Sequence, residues 1–205
     1  MIQQNADDAG MEQAISVLRT GGVIVYPTDT LYGIGTLINN SIGIDRIFQI
    51  KNMTPAPQSI IMADEQMVNE FVHVPKSMKQ FLKVFPAGPF TLLLQVRRDK
   101  RNALDAGLIK EGKIGIRLPL NSFTRTLAAR VGPYTTTSAN IHTQAPPKTF
   151  NEIKLQGADI YINDGPCLFG KPSTILTEAN EKLEVVREGA ISREVLRKYL
   201  EDHIG

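Results

Sequence analysis

Tryptophan is absent from the sequence and cysteine occurs once, at Cys167. A lone thiol excludes an internal disulfide, and His73, His142 and His203 lie too far apart to supply zinc-ligand spacing. No apolar run approaches the roughly 18 residues that span a bilayer. The opening MIQQNADDAG lacks the basic and apolar segments of a signal peptide, so a soluble, cytoplasmic protein with no membrane partner is expected. Charge of either sign is barely in excess: 23 Lys and Arg against 21 Asp and Glu leave a formal net charge of +2. That is too little for the electrostatic footprint of a dedicated nucleic-acid binder, so any RNA contact must come from a local patch. Repeats, low-complexity tracts and interdomain linkers are also missing, and the richest proline segment, QAPPKTF, is too short to separate domains. What remains is a chain of 205 residues, 42% hydrophobic, sufficient for a substantial core. A single domain over residues 1–205 is expected, with no C-terminal extension domain.

Hydrophobic spacing supplies the elements. AGMEQAISVLRTGG has helical periodicity and stops at Gly21-Gly22, while VIVYP is a short β-prone run bounded by glycine and proline. SIGIDRIFQIK places Ile44, Ile47, Phe48 and Lys51 at helical offsets, so Lys51 ends a helix at the mouth of a loop. SIIMA, FTLLLQV and KIGIRLP read as strands, and EQMVNEFV, SMKQFLKVF and SFTRTLAARV as helices. ADIYIND, STILT and LEVVRE follow as strands, then SREVLRKYLEDH as a closing helix with Ser192 as cap and Glu194 in its first turn. Interleaved helices and strands indicate an α/β fold. Its single twisted sheet is expected to be mixed, because the later strands follow one another too closely for helical crossovers.

Several segments carry candidate chemistry. GPCLFGKPS nearly spells a phosphate-binding loop, but Pro172 stands where a hydroxyl must hold magnesium, and β-prone STIL follows instead of a helix. It reads as a turn leading into a strand, with Ser173 exposed where the strand begins. YPTDTLYGIG places Thr28, Asp29, Thr30 and Tyr32 directly after a buried strand, where α/β folds set binding loops; ordinary turn chemistry accounts for it equally well. Arg117 ends the apolar strand IGIR, and suits either a surface ion pair or a bidentate bond to a carboxylate or phosphate. In PYTTTSAN, strand alternation puts Thr136, Ser138 and Asn140 on one side, either as donors to an anion or as a polar edge closed by a turn.

As an ordered set, GGVIVYPTDTLYGIG, IFQIKN, GPFTLLL, IGIRLP, TTSAN, GKPSTIL and VVREGAIS closely resemble the YrdC-like threonylcarbamoyl-AMP synthase family, from about Gly21 to Ile191. The resemblance implies an α/β fold around a basic concave cavity. It also implies condensation of L-threonine, bicarbonate and ATP, with Mg2+ accompanying the nucleotide, into threonylcarbamoyl-adenylate and pyrophosphate. That product serves modification of tRNA adenosine 37 through a separate transferase. Matched residue by residue, Thr30, Arg117, Thr136 and Ser173 would hold threonine, with Arg117 on its carboxylate. Lys51, Ser138 and Asn140 would act on the ATP phosphates as the catalytic group, and Lys113 and Arg187 would line the nucleotide site. No resident metal is implied.

The family pattern K-x-R-P, followed by a polar stretch ending in Pro-Leu or Gly-Leu, is broken here. KNMTPAPQSI keeps Lys51 but has Met53 in place of arginine, and Thr54, Pro57 and Gln58 also depart. Loss of a charge-assisted bond of roughly 1.5–3 kcal/mol would weaken phosphate binding by about one to two orders of magnitude. Arg97, Arg98 and Arg101 in RRDKR could substitute, although such a run is usually a solvated hairpin. Ala87 in PAGPFT is a milder departure. The alternative expectation is a non-catalytic paralogue that binds tRNA or double-stranded RNA, or associates with ribosomes.

Overall fold

Residues 23–26, Val-Ile-Val-Tyr, are buried on both faces, and their alternation divides the core. Ile24 and Tyr26 pack with Leu18 and Leu127 on one side, while Val23 and Val25 pack with Ile34, Ile47 and Tyr161 on the other. A strand buried this way needs helices above and below it. In the computed structural model, which describes residues 2–204, it has them.

The elements in chain order are β1 (Ile2–Asn5), α1 (Asp8–Arg19), β2 (Ile24–Tyr26), β3 (Gly33–Gly35), α2 (Ser41–Lys51), β4 (Ser59–Ile61), α3 (Glu65–Phe71) and β5 (Val72–His73). They continue as α4 (Lys76–Val84), β6 (Phe90–Val96), β7 (Lys113–Arg117), α5 (Ser122–Val131), β8 (Tyr134–Ser138), β9 (Ile160–Asn163), β10 (Thr174–Ala179), β11 (Lys182–Arg187) and α6 (Arg193–Ile204). The sheet runs β1-β9-β2-β3-β8-β4-β7-β6-β10-β11, with β5 paired to β6. It is mixed, as expected: β1–β9, β2–β9, β4–β7 and β6–β10 are parallel, while β2–β3, β3–β8, β4–β8, β6–β7 and β10–β11 are antiparallel. Between β10 and β11 lie only Asn180 and Glu181, both at positive φ, the two-residue turn whose twist matches a hairpin.

Side-chain caps set the helix starts. Asp7, Asn40, Asp64 and Asn121 each accept from a backbone N–H three residues on. The stop of α2 fixes where Lys51 leaves the helix. Asn52 adopts φ 50° and donates to Gln49 O, while Met53 N donates to Phe48 O at 3.1 Å, which together form a Schellman closure. Met53 and Phe48, at the positions whose side chains typically meet in that motif, border the same surface cleft and pack on the same core. Met53 thus serves to end a helix just after Lys51. The RRDKR run is a 3-10 turn at Arg98–Ala103 with a surface Arg97–Asp99 pair. Among the described residues no helix is long and apolar enough to cross a membrane.

Three strands escape the sequence reading, one of them the two-residue β5, whose Val72 reads as the end of a helix. β1 is a polar edge strand without alternation. β3 is Gly-Ile-Gly, a composition that argues for a loop, but a Cβ added to Gly35 would lie 1.9 Å from Thr135 O. The glycine lets β3 lie close against β8. Gly35→Ala is expected to destabilise the fold by roughly 3 kcal/mol, seen as a lower denaturant midpoint at unchanged m-value.

Candidate active site

The concave face of the sheet is floored by small side chains. In register, Gly33 faces Ser138, Ser59 faces Thr136 on one side and Gly115 on the other, and Thr91 faces Ile175 beyond. A Cβ on Gly115 would meet Ser59 Oγ at 3.1 Å, so the floor admits nothing larger without moving a neighbour. Above it lies a cavity of about 350 Å³, within the range of small-ligand sites. Its lining includes Thr30, Arg117, Thr136, Ser138, Ser173 and Arg187, six of the nine residues the sequence singled out.

Arg117 is held from the far side of the cavity. Its guanidinium donates to Asp29 Oδ1 at 2.5 Å and to Thr30 Oγ1 at 2.6 Å, and both members of the ion pair are almost fully buried. Asp29 is fixed in turn by the N–H of Leu120 on Oδ2, and its own carbonyl accepts from Phe169 N. Thr28 organises the loop: its hydroxyl donates to Leu31 O at 2.7 Å and accepts from the N–H groups of Thr30 and Leu31. Arg117 Nε is left buried with no partner, one donor to spare. Opposite, Ser173 is buried, not exposed as the sequence suggested, because its hydroxyl shares a 2.7 Å bond with Thr91 Oγ1. Arg187 donates to Ser173 O at 2.8 Å, and desolvation with the nearby Arg117 charge lowers its pKa. Two arginines and no carboxylate among the lining residues make the cavity suited to anions.

Lys51, Asn140 and Lys113 do not line it. Lys51 reaches the back of the Ser-Ala-Asn turn and donates to the carbonyls of Ser138 and Asn140, while its own carbonyl accepts from His142 N. Burial lowers its pKa to about 8. Asn140 donates through Nδ2 to Ile141 O and Gln144 O, shaping the loop that brings Pro146 to the rim. Lys113, at the opposite end of β7 from Arg117, donates to Thr177 Oγ1 at 3.3 Å. Met53 also lies outside the cavity, in the cleft with Phe48. Cys167 is no nucleophile at neutral pH, since burial pushes its thiol up to about 11.

A family model named Sua5_yciO_yrdC and described as telomere recombination matches residues 16–189. The chain belongs to the Sua5/YciO/YrdC family. A Methanocaldococcus jannaschii member, whose name assigns threonylcarbamoyl-AMP synthase provisionally, is 33% identical over 175 residues, covering 83% of this chain and 81% of that one. The threonylcarbamoyl-AMP synthase of Bacillus subtilis is 28% identical over 197 residues, covering 93% of this chain and 56% of that protein. The crystal structure of P. abyssi Sua5 complexed with L-threonine superposes with a TM-score of 0.83 at 21% identity, covering 96% of this chain and 59% of that one. The chain therefore spans little more than half the length of these last two relatives.

Asp29 and Gln58 are site residues for which the sequence reading gave no role. A buried arginine on an apolar strand demands a buried acid, and Asp29 between two threonines was a legible candidate. Gln58 had only its departure from the family pattern as a signal.

Two outcomes are expected of this family site. Asp29→Ala strands the Arg117 charge in the interior and is expected to cost about 3–5 kcal/mol in denaturant unfolding. For Lys51, the folded pKa is about 8 and the unfolded one about 10.4. The unfolded chain holds the extra proton between these values, so this group makes stability rise over that window. Lys51→Arg, which stays charged throughout, is expected to remove this contribution, read from denaturant midpoints on either side of about pH 8.

Proposed function

We propose that this chain is a threonylcarbamoyl-AMP synthase, condensing L-threonine, bicarbonate and MgATP into threonylcarbamoyl-adenylate and pyrophosphate. The observation that carries the reading is the cavity itself: a buried arginine with one unused donor, ringed by hydroxyls, in a family whose P. abyssi member is described as a complex with L-threonine. The carboxylate of threonine pairs with Arg117 Nε, while Thr30 and Asp29 occupy the other guanidinium nitrogens and set its angle. Ser173, pinned by Thr91 and Arg187, and Thr136 from the floor place the rest of the amino acid.

The neutral amine of threonine, its ammonium proton lost to solvent, bonds to the carbon of bicarbonate as one C–O bond breaks, and the departing hydroxide takes the second amine proton and leaves as water, giving a carbamate. A carbamate oxygen then attacks the α-phosphorus of ATP, and the bond to the β-phosphate oxygen breaks as pyrophosphate leaves. Such chemistry depends on positioning and on charge placed where phosphoryl oxygens gain density. Arg187 at the rim supplies charge, and Ser138 a hydroxyl on a turn that Lys51 holds from behind. No side chain forms a bond to the substrate. In this reading magnesium arrives with the nucleotide, on its phosphates. The labile mixed anhydride passes to a transferase that modifies tRNA.

Incubation with ATP, magnesium, L-threonine and labelled bicarbonate should give a labelled adenylate and pyrophosphate, both dependent on threonine. Ser138→Ala should lower kcat/KM by about 10- to 100-fold, the loss of one hydrogen bond to a charged group. If no labelled adenylate forms under conditions where a working relative makes it, synthesis is excluded, and RNA affinity becomes the property to measure.

A further inference from the structure

The buried side-chain nitrogen and oxygen atoms without hydrogen-bond partners among the described residues are four: Gln58 Nε2, Gln58 Oε1, Arg117 Nε and Asn140 Oδ1. Buried polar groups are paired as a rule, and each exception calls for an explanation. Here three of the four belong to two residues that line one cavity, and the fourth sits on the adjoining Ser-Ala-Asn turn. Arg117 Nε needs an acceptor. Gln58 is different, because its amide leaves a donor and an acceptor unpaired together.

We propose that Gln58 is a specificity-determining residue that selects the side-chain hydroxyl of the amino-acid substrate. This rests on the synthase reading above and adds to it the residue that tells threonine from its hydroxyl-free isosteres. The chemistry of the donor set carries the argument. A carboxylate or phosphate oxygen only accepts, and an ammonium only donates, so each satisfies one end of an amide. A hydroxyl does both: its O–H donates to Oε1 while its lone pair accepts from Nε2.

Position agrees with this assignment. Gln58 immediately precedes β4, in which Ile61 is registered with Arg117 and Ser59 with Thr136. Gln58 stands just outside the alternation of β4, and its side chain and that of Arg117 line the same cavity, so a ligand the size of one amino acid can set its carboxylate on Arg117 and its hydroxyl on Gln58. The amide is only 5% exposed as a residue, and it holds no bond that must break before its side-chain torsions turn it toward the cavity it borders. Leaving it unpaired when an isostere binds keeps the desolvation cost without the compensating bonds, the situation in which sites discriminate best.

The test is equilibrium binding by calorimetry to the full chain, with L-threonine, L-valine and L-2-aminobutyrate as titrants, for the wild type, Gln58→Leu and Gln58→Met. Wild type is expected to bind threonine about 10- to 100-fold more tightly than valine. Both variants should bring that ratio to within about threefold, chiefly through weaker threonine binding. Their melting temperatures should equal or exceed the wild-type value, since an unsatisfied buried amide has been replaced by an apolar group of similar size. Threonine and valine binding alike in wild type, or a threonine-to-valine ratio unchanged in both variants, overturns the role of Gln58 and leaves the synthase reading standing. An equal loss for all three titrants marks Gln58 as an anchor for the common amino-acid backbone, which also overturns it. If the wild type binds none of the three, with or without ATP, the synthase reading itself fails.

Discussion

A buried charge pair organises this molecule. Asp29 follows β2 and Arg117 ends β7, with β3, β8 and β4 between them in the sheet. At about 4.8 Å per strand, a flat sheet would set β2 and β7 roughly 19 Å apart, far beyond an arginine side chain. The pair forms because the sheet twists and the loop after β2 folds over its concave face. Thr28, Thr30 and Leu31 line the cavity because that closure brings their loop over the floor strands. Its cost is desolvation of two ions. The Thr30 hydroxyl that accepts from the guanidinium and the Leu120 N–H that donates to the carboxylate are what make such burial tolerable.

A second, quieter device works at the back of the site. Helix α2 stops at an asparagine in the left-handed conformation, with the N–H of Met53 closing on Phe48 O, so that the last helical side chain, Lys51, emerges beneath the Ser-Ala-Asn turn. The lysine spends its donors on two carbonyls. It acts on the cavity through the turn, and the side chain of Asn140 acts likewise through the loop at 141–147. The methionine that breaks the family's K-x-R-P pattern is therefore part of the helix stop that aims Lys51.

Much of this was legible in the residues. Periodicity located the helices because each has one apolar face, and strand alternation placed Thr136 and Ser138 together because the pleat has period two. The helix end at Lys51 was also readable, since the apolar spacing runs out there. What escaped depended on non-local partners. Gly33–Gly35 resembles a loop until Thr135 is seen pressing against it. Ser173 looks exposed beside a proline until Thr91, 82 residues away, supplies a bond. Lys113 shares a strand with Arg117, yet four residues of extended chain carry it to the far end. The direction of the Lys51 ammonium, toward carbonyls in place of the cavity, is set by a turn that no local pattern describes.

The order of strands in the sheet also governs when a site can exist. β1 pairs with β9, β2 with β9, and β6 with β10, so residues from the first few positions wait for partners beyond position 160. Ser173 and Arg187, which close one wall, come near the end of the chain. Contacts so distant in sequence make for slow folding, because loop entropy is lost before the pairing rewards it. On a growing chain the floor strands and the Asp29–Arg117 pair are therefore available once Ser138 has been made, while the wall that carries Ser173 and Arg187 waits for β10 and β11, so the cavity closes last on that side.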